Sequence, residues 1–129
     1  IDKESMLNTP PVFSVYVAML NLRNLIANGG VKAMEARNNA KAALLYKEID
    51  DNPSFRGAVE TEDRSNMNVT FLLNDESRTE EFDAMWKAAG IVGLPGHRSV
   101  GGYRASIYNA LPIESIQVLV DVMKAFDQK

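Results

Sequence analysis

The apolar residues repeat with a helical period alone as far as Ile49, and a strand period first enters after Pro53, which narrows the folds open to the chain. Before the change, Val12, Phe13, Tyr16, Val17, Leu20 and Ile26 form one broad helical stripe. That helix is expected to begin near Thr9, with Thr9 as its N-cap and Pro10 and Pro11 in the first turn, where their missing N–H groups cost little. Asn28-Gly29-Gly30 reads as its stop. A second helix is predicted over about Val31–Ile49, with Met34, Leu44, Leu45 and Ile49 turned inward, and Pro53 forbids its continuation.

After Pro53, Met67, Val69, Phe71 and Leu73 alternate with polar residues, the pattern of a strand with one buried face. Phe55–Val59 is a second short strand, and the polar turn Glu60–Ser65 between them predicts an antiparallel hairpin. A helix over Thr79–Ala89 carries Phe82, Met85 and Trp86 on one side and stops at Gly90. Ile91-Val92 is expected as a short extended piece and Tyr103–Tyr108 as a strand. From Pro112 onward, Ile113, Ile116, Leu119, Val120, Met123 and Phe126 fall on one face of a last helix. The order ααββαββα predicts an α+β two-layer sandwich, a small antiparallel or mixed sheet covered by helices. Residues 1–50 are expected as leading helices and 51–129 as a small C-terminal α+β domain.

A chain of 129 residues with 46% hydrophobic and 24% charged residues has the balance of an ordinary globular protein rather than a disordered tail or a rod. A net charge of −3 disfavours generic nucleic-acid binding. With no cysteine, disulfides and thiolate sites are excluded, which suits a reducing cytoplasm. No apolar run approaches the roughly 20 residues of a membrane span, and no signal peptide is visible at the start. A cytoplasmic location, with neither nucleic acid nor membrane as partner, is therefore expected.

Chemistry concentrates in Gly93–Asn109. Its glycines let backbone approach a ligand closely, and His97, Arg98 and Arg104 supply donors for an anion. If Tyr103, Ala105 and Ile107 face the core, Arg104 points the other way with Ser106 and Tyr108, its planar fork suited to a carboxylate or phosphate. The plain alternative is a solvated glycine-rich loop. The pattern matches neither a dinucleotide fingerprint nor a Walker loop. Asn8-Thr9-Pro10-Pro11 is a second candidate, because a helix N-terminus attracts phosphate, with simple capping as the alternative. One histidine and no cysteine leave no usual metal ligand set, and Glu60–Asp63 reads as a solvated acidic turn. No serine sits in a nucleophile elbow. None of the seven lysines, from Lys3 through Lys41 to Lys129, occupies a visibly desolvated stretch, so no catalytic residue or metal site is assigned.

Gly96-His97-Arg98-Ser99-Val100-Gly101-Gly102-Tyr103-Arg104-Ala105-Ser106-Ile107-Tyr108-Asn109-Ala110 resembles the C-terminal signature of the phosphoserine aminotransferase family, pyridoxal-phosphate enzymes of the aspartate aminotransferase superfamily. Asn8-Thr9-Pro10-Pro11 resembles a second signature of that family, and the likeness runs from about Met6 to the end of the chain. The resemblance implies amino-group transfer between O-phospho-L-serine and 2-oxoglutarate, yielding 3-phosphooxypyruvate and L-glutamate, with pyridoxal 5'-phosphate as cofactor, in serine and, in bacterial members, pyridoxine biosynthesis. It implies a homodimer in which Asn8 and Thr9 reach the cofactor phosphate of the neighbouring subunit. Arg104 would grip the substrate α-carboxylate, and His97 and Arg98 the substrate phosphate. The family's cofactor-anchoring lysine and the partners of the cofactor ring lie upstream of the matched segment, so the segment alone is expected to be inactive. The competing expectations are a non-catalytic anion-binding or regulatory α+β module, and an interaction domain that pairs through its first helix.

Overall fold

The computed structural model describes Glu4, Met6 and residues 8–128. Lys3 and Lys129 lie outside the described residues. The chain forms two compact units, Ile1–Glu35 and Ala36–Lys129. Four helices, α1 (Val12–Ala27), α2 (Gly30–Asp51), α3 (Thr79–Ala88) and α4 (Ile113–Asp127), accompany three strands, β1 (Phe55–Gly57), β2 (Asn68–Leu73) and β3 (Tyr103–Ser106).

The first unit holds α1 and the opening turns of α2. The helix starts at Val12, and its N-cap is Pro11 rather than Thr9, with no side-chain cap. The correction has a steric cause: a residue that precedes proline is pushed out of the α region, so Thr9 and Pro10 both stay outside the helix. No residue of α1 is buried, and its stripe residues Phe13 and Tyr16 are exposed.

In the second unit, β2 lies between β1 and β3 and pairs antiparallel with both. Phe55 stands opposite Leu73 and Arg104 opposite Thr70, so the hairpin read from the alternation is present. Side chains alternate along the strands, and Phe55, Val69, Phe71, Leu73, Tyr103 and Ala105 all turn to the buried side. They join Phe82 and Trp86 of α3, Leu45 and Ile49 of α2, and Leu119, Val120, Met123 and Phe126 of α4 in one core. The fold is α+β, with an antiparallel sheet. Phe82 is the hub, its ring centroid 5.0 Å from Tyr103, 5.1 Å from Phe55 and 5.2 Å from Phe126. The opposite row, Asn68, Thr70 and Leu72 on β2 with Arg104 and Ser106 on β3, is half-buried or exposed.

Ile91-Val92 forms no strand. The Ile91 amide donates to the Trp86 carbonyl at 3.1 Å and the Gly90 amide to Lys87 at 3.0 Å, closing α3 with Gly90 at φ +77°. This is the paired-bond helix stop that glycine favours, and it consumes the amide a strand would need.

Asp83 on α3 accepts hydrogen bonds from the Tyr103 hydroxyl at 2.9 Å, from Trp86 Nε1 at 3.0 Å and from Lys87 Nζ at 3.1 Å. Burial alone would raise its pKa, but the three donors together hold it below the ordinary 3.8. Burial and the facing carboxylate push the Tyr103 phenol well above its usual value. Because the folded carboxyl has the lower pKa, its contribution to stability is full above pH 3.8 and is lost as the pH falls through the folded value. Asp83→Asn is expected to lower stability by about 1–3 kcal/mol at neutral pH. The gap from the unsubstituted chain should narrow below about pH 4, measured by urea unfolding across the acid range.

Candidate functional site

The segment Leu94–Arg104 folds as a hairpin whose closure is made by backbone atoms. The Arg104 amide donates to the Leu94 carbonyl at 2.7 Å, Pro95 bridges Tyr103, and the Gly96 amide donates to the Gly102 carbonyl at 2.8 Å. At the tip, the amides of Val100 and Gly101 both donate to the His97 carbonyl, at 3.0 and 2.9 Å. His97 and Arg98 therefore stand at the tip and Arg104 at the base, two residues, or roughly 7 Å of strand, beyond Gly102. All three side chains are exposed.

Arg104 occupies the outward side of β3 while its neighbours Tyr103 and Ala105 are buried, as the alternation predicts. Among the described residues neither Arg98 nor Arg104 makes an ion pair. His97 Nδ1 lies 2.7 Å from Ser99 Oγ and accepts from the Ser99 amide at 3.3 Å. These contacts occupy Nδ1 and leave Nε2 as the ring nitrogen open to an anion. One braced hairpin thus carries two exposed guanidinium groups and an imidazole, side chains suited to carboxylate or phosphate.

Two glycines set the return of the hairpin, Gly101 at φ +75° and Gly102 at φ +61°. A Cβ at Gly101 meets open space, whereas one at Gly102 would lie 2.7 Å from the Phe71 carbonyl and collide with the Leu72 side chain. Gly101→Ala should cost about 1–2 kcal/mol for the left-handed backbone alone. Gly102→Ala should cost a further 1–3 kcal/mol or so for overpacking, and the two midpoints in urea unfolding measure the difference.

Beside Arg104 a cleft of about 380 Å³ opens between the end of α3, β3 and the start of α4, lined by Ile91, Leu94, Ile107 and Leu119 among others. Its wall is mostly apolar, so Arg104 is the charged group at its margin.

Asn8 and Thr9 belong to the other compact unit and stand exposed just ahead of α1. With no side chain capping that helix, an amide and a hydroxyl beside a helix N-terminus form a donor set that a phosphate monoester accepts.

One residue escaped the sequence reading. Lys41 on α2 is only 3% exposed, although the lysines read as solvated. Its Nζ donates to three backbone carbonyls: Ile107 at 3.1 Å, Tyr108 at 2.7 Å and Leu111 at 3.0 Å. Burial, with a smaller contribution from Arg37, lowers its pKa. The nearest signal in the sequence was its place between the inward positions Met34 and Leu45 of a helix, which the Ala- and Lys-rich composition concealed.

The model of the aminotransferase class-V family matches residues 2–119. The phosphoserine aminotransferase of Flavobacterium johnsoniae is 70% identical over 129 residues, all of this chain and 36% of that protein. Among solved structures, the phosphoserine aminotransferase from Bacillus circulans subsp. alkalophilus superimposes with a TM-score of 0.90 at 43% identity, over 98% of this chain and 36% of its own. A PLP-bound phosphoserine aminotransferase from Trichomonas vaginalis gives 0.83 at 38% identity, over 95% and 36%. The chain thus spans about 36% of the length of the curated relatives it matches. Because the family model covers residues 2–119 and the solved relatives share the fold of nearly the whole chain, the chain belongs to the aminotransferase class-V family.

Proposed function

We propose that this chain is the substrate-binding segment of a phosphoserine aminotransferase, which moves the amino group of O-phospho-L-serine to 2-oxoglutarate and releases L-glutamate in serine biosynthesis. The observation that carries the reading is the single hairpin bearing His97, Arg98 and Arg104, exposed and braced by backbone hydrogen bonds. Phosphoserine carries a carboxylate at one end and a phosphate at the other, and the base and tip of this hairpin offer a cation to each. Arg104 takes the α-carboxylate through its fork, the group common to phosphoserine and glutamate. His97 and Arg98 take the phosphate, with the His97 Nε2–H donating and Arg98 adding charge. The names and identities of the relatives support the same assignment.

Asn8 and Thr9 would hold the phosphate of pyridoxal 5'-phosphate in a homodimer, the amide and hydroxyl donating beside the uncapped start of α1. When bound, that cofactor supplies the electron sink for amino transfer. Among the described residues no helix is long and apolar enough to cross a membrane, and we place the enzyme in the cytoplasm. The test is an assay of the full-length protein with pyridoxal phosphate, phosphoserine and 2-oxoglutarate, coupled to detection of glutamate. Turnover with phosphoserine and none with unphosphorylated serine supports the reading. Binding of an unphosphorylated metabolite without turnover supports the regulatory module instead.

A further inference from the structure

We infer that Lys41 is a positioning residue for Arg104, a role that rests on the carboxylate assignment above. Lys41 points its ammonium at the exit of β3. Its three N–H groups go to the carbonyls of Ile107, Tyr108 and Leu111, which are brought within one turn by the bond from the Leu111 amide to the Tyr108 carbonyl at 2.9 Å. A tetrahedral ammonium matches three convergent carbonyls, and at 3% exposure no water competes freely for them.

Further bonds tie the same short segment down. Asn38, one turn earlier on α2, donates to Asn109 Oδ1 at 2.8 Å. The hydroxyls of Ser106 and Tyr108 both donate to Asn68 Oδ1 on β2, at 3.2 and 3.1 Å. The Ile107 amide donates to the Met67 carbonyl at 2.9 Å. Arg104, Ser106 and Tyr108 share one side of the strand, so the row that starts with the guanidinium is fixed at its far end by α2. Its near end is fixed by the Leu94 carbonyl. A twist at residues 107–111 would reach Arg104 through the two residues between them, Ala105 and Ser106, which pair with the same strand β2 as Arg104 does. Lys41 touches no substrate and acts only through the carbonyls that it gathers.

The experiment uses the full-length protein in three forms: Lys41→Met, Lys41→Arg and the control Leu45→Ala, a cavity in the same helix one turn on. Lys41→Met is expected to raise KM for phosphoserine and glutamate about 5- to 20-fold, with kcat changed less than 2-fold, because a carboxylate grip acts on ground and transition states alike. Lys41→Arg, whose planar fork cannot meet three convergent carbonyls, should fall between it and the wild type. Leu45→Ala should lower the melting temperature while leaving KM within 2-fold. Amide hydrogen exchange read on residues 103–111 should quicken in Lys41→Met and keep its rate in Leu45→Ala. An unchanged KM in Lys41→Met, an equal rise in Leu45→Ala, or failure of both lysine variants to fold overturns the positioning role in favour of a purely structural lysine. Should the wild type not transaminate phosphoserine, the functional reading falls separately. Hydrogen exchange then decides the clamp by itself: unaltered exchange at residues 103–111 in Lys41→Met overturns it.

Discussion

Arg104→Ala in the full-length protein is expected to raise KM for phosphoserine and for glutamate together by about 30- to 150-fold. A bidentate, charge-assisted contact to a carboxylate is worth roughly 2–3 kcal/mol, and alanine leaves the carboxylate with no replacement on β3. The arginine makes no ion pair within the described residues, so the substitution breaks no internal bond and should leave the melting temperature within a degree or two. Lysine at the position should recover only part of the loss, since a point charge cannot reproduce the fork. The phosphate end should separate from the carboxylate end: Arg98→Ala should weaken phosphoserine while sparing glutamate, which has no phosphate. Steady-state kinetics with each amino donor read both effects. Equal KM values in Arg104→Ala and the wild type would remove the carboxylate assignment.

Phe82→Ala should be the most damaging substitution for stability, costing about 3–5 kcal/mol. The ring is fully buried and is flanked by Phe55, Phe71, Tyr103 and Phe126, so its loss removes four aromatic contacts and leaves a cavity that the stiff sheet cannot fill. A domain of this size is stable by only about 5–15 kcal/mol, so urea unfolding should show a large fall in midpoint. Phe82→Leu, which keeps most of the volume, should recover much of the loss. Because Tyr103 rests on the same ring and precedes Arg104, the alanine variant should also slacken the base of the Leu94–Arg104 hairpin.

Most of the architecture could be read from periodicity, because the core is built from side chains whose spacing is their signature. The stripe Ile116, Leu119, Val120, Met123 and Phe126 and the alternation Val69, Phe71, Leu73 both emerge buried. Arg104 could be oriented in advance from Tyr103 and Ala105 beside it. What periodicity missed depends on individual backbone bonds. Thr9 has the right side chain for a cap, yet successive prolines keep it outside the helix. Ile91-Val92 has the composition of a strand, yet the Gly90 stop takes its amide. Lys41 was hidden because its partners are carbonyls that lie 66 to 70 positions later, and carbonyl direction leaves no trace in side-chain pattern.

The loop that presents His97 and Arg98 owes its shape to main-chain bonds between Leu94, Gly96, His97, Gly102 and Arg104. None of these bonds uses a tip side chain, and at the tip itself His97 Nδ1 adds a contact to Ser99. Exchanging Arg98 should leave the shape of the loop intact, whereas exchanging His97 also removes the contact of its ring with Ser99. On the proposed reading, ligand preference can then drift at Arg98 alone while the frame that aims the contact stays as it was.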